Sequence, residues 1–462
     1  MVFVVKLKGT VMQMHEQHYQ QDLGDGYTLR WANASDRDSL LDLYGYVFTD
    51  ETSGARNTYT MAYADDLLSG RHPMSSPGDF AVVADADNRI VATTVLMRMP
   101  LEYAGVAVPS GRPELVASHP DVRNRGYIRK IFQLIHAKST TRGDLMQGIT
   151  GIPYYYRQFG YEYALALGGA RMVPVQSIPK LGADQSEPFV VRRAQPSDIM
   201  QLLILYERER SRLHNQLPML VTSRIDASYL RYTMSDIVTG NEPWLPYVIA
   251  RPDGEVVGSL WSNRVRGVSS IGVFSLSTEP HIQLAEIYPS ICRQLVQIAD
   301  TIPIWDNKTG TPEQIQFGLG VDHPIYRIIE QGMHKNNRPY AWYIRVADVA
   351  QLIQHIVAPL ERRLSQSAMA GYNGELTFDF YRSGLQLTFT KGKINATTMP
   401  ANDGSRKSTA GYPPHVFLQQ LFGLHSIHEL KSSYPDVYSS AESEVLLDIL
   451  FPKQSSWLAP LD

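Results

Sequence analysis

Between residues 123 and 160 the chain carries two short runs whose residue types suit chemistry. The first is Arg123-Asn-Arg-Gly-Tyr-Ile128, and it leads into apolar residues Ile128, Ile131, Phe132 and Ile135 at helical spacing. An Arg/Gly loop that opens a helix is suited to a pyrophosphate, because the first-turn N–H groups are unpaired and the dipole is positive there. Gly126 lets backbone approach a phosphate, and Arg123 and Arg125 add positive charge. The second run, Tyr154-Tyr-Tyr-Arg-Gln-Phe-Gly-Tyr161, puts three adjacent tyrosines on a short helical turn that Gly160 ends. Each run also has a plainer reading, as solvated arginines around a turn glycine and as tyrosines that pack and hydrogen-bond.

The elements needed to position these runs can be read around them. Tyr27–Ala32 reads as a strand, Asn33-Ala-Ser-Asp36 as a cap, and Leu40, Leu41, Leu43, Tyr44 and Val47 as the apolar face of a helix. Phe80–Ala84 and Ile90–Met97 form a hairpin across Asp85-Ala-Asp-Asn88. Pro113–His119 continues that sheet into the Arg/Gly loop, and a short strand near Met146–Gly151 precedes the tyrosines.

Later segments echo the first. Val190-Val-Arg-Arg-Ala-Gln-Pro-Ser-Asp198 repeats the pattern of Leu29-Arg-Trp-Ala-Asn-Ala-Ser-Asp36, and Tyr247–Ala250 with Val256–Trp261 repeats the hairpin. A duplicated domain is expected, separated from the first by the Pro/Gly/Gln-rich stretch Pro174–Pro188. Its counterpart of the Arg/Gly loop runs Phe274-Ser-Leu-Ser-Thr-Glu-Pro-His281 with no comparable Gly or Arg, so it is expected to hold no pyrophosphate. After residue 346 a helix over 349–364 and alternating strands Gly374–Phe380 and Gly384–Thr390 begin a third, α+β segment.

Composition bounds the function. At 462 residues the chain exceeds the ~250–300 at which single cores stop growing, so several domains are expected. Its 43 basic and 46 acidic residues nearly cancel, which disfavours nucleic acid as a partner. The lone Cys292 excludes a disulfide framework within the chain and fits a reducing cytoplasm. The apolar opening Met1–Lys8 is far shorter than a membrane span and lacks a small-residue cleavage site, so a cytoplasmic location is expected. His425 and His428 lack a matching ligand cluster, and no metal is expected. A G-x-S-x-G elbow, a Walker loop and a dinucleotide fingerprint are all missing.

The two runs in this order, with Glu114-Leu-Val-Ala-Ser-His-Pro120 before the first, resemble the GNAT acetyltransferase superfamily. The family motif Arg/Gln-x-x-Gly-x-Gly/Ala maps onto Arg123, Gly126 and Ile128, with Ile128 departing from it. The chain is similar to the enhanced-intracellular-survival-like branch, whose Arg-Arg-Gly loops are followed by bulky aliphatics. That branch combines two GNAT folds with a sterol-carrier-protein-like C-terminal domain. The resemblance implies a mixed αβ, α+β chain of this plan: a leader over 1–26, a catalytic GNAT domain over 27–180, a degenerate second one over 188–345, and a sterol-carrier-protein-like domain over 346–462.

It also implies acetyl-CoA as co-substrate and direct transfer to a primary amine of a small molecule, aminoglycoside- or polyamine-like, or to a lysine side chain. The coenzyme would lie on Val116, Ala117, Ser118, Arg123, Asn124, Arg125, Gly126, Tyr127, Ile128 and Arg129. Tyr156, four residues before Gly160, takes the place of the tyrosine that protonates the departing thiolate, a role that an ordinary phenol with a pKa near ~10 can fill. The base would be the C-terminal carboxylate of Asp462, although the family's terminal aromatic is missing here; Glu114 is the alternative and His119 a third. A homo-oligomer, with a hexamer as precedent, is implied as well. The rival expectation is a non-catalytic scaffold that holds coenzyme A or a lipid.

Overall fold

The computed structural model describes residues 18–49, 54–216, 219–235, 244–305, 308–320, 322–329 and 335–461. The chain divides into two compact units, the first comprising residues 1–165, 239–241 and 341–454 and the second 166–238, 242–340 and 455–462.

The first unit is built on a mixed sheet whose strands include β1 (Gln20–Gly24), β2 (Tyr27–Trp31), β3 (Phe80–Ala84) and β4 (Ile90–Arg98). A small hairpin of β5 (Leu101–Tyr103) and β6 (Val106–Val108) follows, then β7 (Ser110–Ser118), β8 (Met146–Ile149) and β9 (Glu162–Leu167). The sheet order is β1, β2, β3, β4, β7, β8, the strand Tyr340–Val346, and β9. Gln20–Gly24, read above as leader, is an edge strand antiparallel to β2. An edge strand with one solvated face needs no apolar run, which is why a polar sequence concealed it.

Helix α1 (Arg37–Val47) packs on β4 and β7, α2 (Thr58–Leu68) packs on α1, and α3 (Tyr127–Thr141) lies across β3, β4 and β7. The apolar positions of α3 do what their spacing predicts: Ile131, Phe132 and Ile135 are all buried. The hairpin turn between β3 and β4 holds because Asn88 takes a left-handed φ of 64° and the Asp85 carboxylate accepts from the N–H groups of Asp87 and Arg89.

The same unit holds a second sheet, ordered Lys393–Met399, Gly384–Thr390, Gly374–Asp379, Ala410–Gly411, Tyr438–Ser439. The helix expected over 349–364 is two helices, Val349–His355 and Val357–Ser365, broken at Ile356. Pro359 explains the break, since it has no N–H for the His355 carbonyl four residues back and its ring crowds that carbonyl.

The second unit has a sheet ordered Val190–Arg193, Trp244–Ala250, Val256–Asn263, Ser270–Thr278, Gln314–Phe317, Ala170–Pro174, Lys335–Asn337. Helices Ile199–Gln216 and Leu284–Ala299 accompany it. The sequence echo has a physical counterpart. Arg30 on β2 grips Asp36 at 2.6 and 2.7 Å, while Arg192 grips Asp198 at 2.8 and 3.0 Å. Each Asp also caps its own 3-10 turn, accepting from the N–H of Asn33 or Gln195.

The two pairs differ in burial, with side-chain exposures of 8% and 2% for Arg30 and Asp36 against 42% and 10% for Arg192 and Asp198. Arg30→Ala is therefore expected to cost about 3–5 kcal/mol by stranding a buried carboxylate. Arg192→Ala is expected to cost about 1 kcal/mol or less. Urea unfolding of the two variants checks this, and equal losses would contradict it.

Among the described residues no helix is long and apolar enough to cross a membrane. Cys292 is buried in helix Leu284–Ala299, and burial pushes its thiol up to about 12, which suits packing and not reactivity.

Candidate active site

The site begins with a defect in β7. Its pairing with β4 slips between Thr93↔Ala117 and Val95↔Glu114, and Leu115 absorbs the extra residue with a left-handed φ of 53°. This is a β-bulge, which bends the strand. On its other edge β7 pairs in parallel with β8 only at Ser110 and Gly111, so beyond Gly111 the two strands part. Glu114, Leu115, Val116 and Ser118 are accordingly only half-buried, although they lie mid-sheet. The parted edge leaves backbone groups of Val116–Ser118 facing a cleft, where an extended ligand arm can pair with them.

The Arg/Gly loop closes one end of that cleft. After the short 3-10 turn Pro120–Val122, Asn124 and Gly126 both take left-handed φ, 65° and 81°. Gly126 is the N-cap of α3, and no side chain caps the helix there. A Cβ built on Gly126 would meet nothing within 4 Å, so the protein leaves open space in front of the first-turn N–H groups of Tyr127, Ile128 and Arg129. Arg123 and Arg125 are exposed beside it, and Arg125 lies over the Tyr27 ring at 5.6 Å. Tyr127 packs its ring against Tyr27, and its hydroxyl lies at the side chain of Arg125 in the loop. Arg129 hydrogen-bonds the Gln158 side chain at 2.8 Å and covers the Phe159 ring, tying α3 to the tyrosine run.

That run is a 3-10 turn, Tyr155–Phe159, entered through Tyr154 with φ 61° and left through Gly160 with φ 87°. Tyr156 is 4% exposed and packs against the rings of Phe132, Tyr155, Tyr161 and Tyr343. Burial above all, with the negative charge of Glu114 and then Tyr155 adding to it, holds the Tyr156 phenol well above its ordinary pKa of 10.0. Tyr154 is exposed, and its N–H donates to the Tyr163 hydroxyl.

Glu114 stands on the bulge. Its carboxylate accepts from Arg112 at 2.7 Å, and its charge also reaches Tyr44. The Tyr44 and Thr93 hydroxyls lie against each other here, both buried and neither in a well-formed hydrogen bond. Sequence reasoning missed both, together with the bulge at Leu115, because nothing in Leu, Thr or a helical Tyr marks a distorted strand. His119 stacks on Tyr46, and its Nδ1 accepts from the Asp121 N–H. Asp462 lies outside the described residues.

The counterpart in the second unit lacks the opening. There the parallel pairing of Ser270–Thr278 with Gln314–Phe317 extends over four residues, Ser270 to Val273. A bulge persists, but it presents Phe274, whose ring packs so close to Gly272 and Gly318 that a Cβ there would sit 2.2 and 2.9 Å from it. The loop that follows offers Glu279, engaged with Gln201 and Arg208, in place of free cations.

Residues 28–164, the segment just described, match the model of the acetyltransferase (GNAT) domain. The chain carries a GNAT acetyltransferase domain. No curated protein sequence matches it. Solved structures with the same fold extend over nearly the whole chain. A GCN5-related N-acetyltransferase from Kribbella flavida is 16% identical with a TM-score of 0.63, covering 94% of this chain and 98% of that one. A probable N-acyltransferase from Enterococcus faecalis V583 is 12% identical with a TM-score of 0.64 over the same shares. Eis1 from Mycobacterium abscessus is 13% identical with a TM-score of 0.57, covering 93% and 99%. The GNAT domain thus makes the chain an acetyltransferase of mixed αβ fold, and these likenesses extend the shared fold beyond the matched segment. Among the described residues no group of three or more His, Cys, Asp or Glu could hold a metal ion.

Proposed function

We propose that the chain is an acetyl-CoA-dependent N-acetyltransferase acting directly on a primary amine, through the cleft where β7 parts from β8. The observation that supports this best is the combination, around one cleft, of an uncapped helix N-terminus with reserved space and a buried, protonated tyrosine close to a carboxylate.

When bound, acetyl-CoA supplies the thioester whose acetyl group moves. The backbone of Val116, Ala117 and Ser118 would hold its extended arm. The N–H groups of Tyr127, Ile128 and Arg129, with Arg123, Asn124, Arg125 and Gly126, would hold the pyrophosphate. The amine nitrogen attacks the thioester carbon, the C–N bond forms, the C–S bond breaks, and Tyr156 gives its proton to the departing sulfur. The proton shed by the amine goes to a carboxylate, for which we propose Glu114 or the terminal carboxylate of Asp462. The wider plan we propose is a catalytic GNAT domain over 27–180, a second over 188–345 that holds no coenzyme, and a sterol-carrier-protein-like domain from 346. The acceptor class stays with small amines, aminoglycoside- or polyamine-like, or a lysine side chain.

Glu114→Gln separates the two bases. If Glu114 serves, kcat falls about 10²-fold or more with KM for acetyl-CoA unchanged. An unchanged kcat assigns the proton to another group. The assay is release of free thiol from acetyl-CoA across a panel of amines, and no release with any amine would contradict the transferase reading.

A further inference from the structure

Behind the Tyr156 turn, the first unit contains a cavity of about 320 Å³ that the acetyl-transfer reading does not use. That is within the ~300–1,000 Å³ of small-molecule sites. Its lining combines apolar Val346, Val349, Phe380, Leu385 and Phe417 with charged and polar residues, among them Arg382, His415 and Asp348, and the exposed Arg382 lies at its mouth. We propose that this cavity binds an organic carboxylate with a compact apolar body, the body against those walls and the carboxylate between Arg382 and His415.

Three observations carry the assignment. Charge around the cavity is mainly positive, with Arg382 in its lining and Arg345 and Arg157 close to His415, against the single carboxylate of Asp348. Besides burial, the neighbouring guanidinium groups of Arg345, Arg157 and Arg382 hold the His415 imidazole below its ordinary pKa. Arg157 is matched by Glu162 at 2.6 Å, but among the described residues no carboxylate pairs with Arg345, whose head group hydrogen-bonds the neutral Gln147 side chain at 2.8 Å. Arg382 likewise has no ion-pair partner among the described residues. The carboxylate that does line the cavity, Asp348, is already engaged by the Gln351 N–H and the Thr398 hydroxyl.

Arg382 and His415 are also held by left-handed backbone at non-glycine positions, His415 itself at φ 70° and Tyr381, next to Arg382, at 61°. Such conformations persist only where their surroundings enforce them, and they concentrate at ligand sites. The Tyr381 turn is fixed by its N–H donating to Asp379 and its hydroxyl donating to the Asp436 carbonyl.

Finally, the cavity adjoins the catalytic turn. A Cβ on Gly160, which ends the Tyr156 turn, would lie 3.6 Å from Arg345 Nε and 3.9 Å from His415 Cε1. Occupancy of the cavity is thus in a position to be felt by the tyrosine.

The test is calorimetric titration of the full chain with hexanoate and, separately, 1-hexanol, on wild type, Arg382→Gln and Leu385→Trp. Saturable hexanoate binding is expected, weakened about tenfold or more by Arg382→Gln and by replacing the carboxylate with the alcohol, since each removes a charge-assisted contact. Leu385→Trp fills the cavity and should abolish binding. Should Leu385→Trp misfold, the exposed Arg382→Gln carries the test alone. No saturable binding to folded wild type, equal binding of hexanol, or unchanged affinity in Arg382→Gln would overturn the proposal. Acetyl-CoA affinity unchanged in Arg382→Gln keeps this result separate from the coenzyme cleft, whose proposed residues the variant does not touch.

Discussion

Replacing Tyr156 by Phe is expected to lower kcat about 10²–10⁴-fold while leaving acetyl-CoA affinity unchanged. The ring stays, so its packing against Phe132, Tyr155, Tyr161 and Tyr343 is retained, and only the proton donor is lost. The direction of the pKa shift adds a second signature. Burial and the Glu114 charge hold the phenol protonated beyond its ordinary value of 10.0. The acid form therefore survives to higher pH than in a free tyrosine, and loss of the acid should not depress the rate between pH 7 and 10. A fall in wild-type kcat that begins near neutrality and vanishes in Tyr156→Phe would place the phenol's titration in that window and contradict the burial argument. Unchanged turnover in Tyr156→Phe would remove the acid role altogether, and retained coenzyme binding without turnover in either form would favour a scaffold.

The second large effect is expected at Gly126. Asp there adds a negative charge and side-chain bulk to the space left open before α3, so acetyl-CoA should bind at least a hundredfold more weakly, the loss of one to two charge-assisted contacts. Folding should lose only about 1–2 kcal/mol, the strain of a side chain at a left-handed φ of 81°. The built Cβ meets no protein atom, Asp tolerates left-handed backbone better than most residues, and an acidic N-cap favours the helix dipole. KM for acetyl-CoA and the urea midpoint, measured on the same preparation, check both halves. A large drop in the midpoint would mean that Gly126 serves the fold and not a ligand.

These two residues also show what was legible in the sequence. Gly126 and the helix after it could be read because a glycine before periodic apolar residues has few other uses, and the left-handed N-cap is what such a glycine supplies. The Ser-Asp caps that mark both copies of the pattern could be read as well, but the Arg30 and Arg192 partners of their aspartates could not. The opening of the cleft could not be read. It depends on Leu115 taking a left-handed φ inside a strand, which a leucine does not announce, and on β7 leaving β8 after two residues, a property of pairing and not of composition. The closure of the second unit was half legible: the missing Gly and Arg could be seen, but the Phe274 ring packed on Gly272 and Gly318 could not. The cavity beside His415 was hidden for the same reason, because it is assembled from segments far apart in the chain.

The most direct test of acetyl transfer at this cleft is calorimetric titration of the purified chain with acetyl-CoA, repeated on Arg123→Ala combined with Gly126→Asp. Saturable binding to wild type that is lost in a folded double variant is the result expected. Absence of binding to the folded wild type, or equal binding to both, would contradict the account.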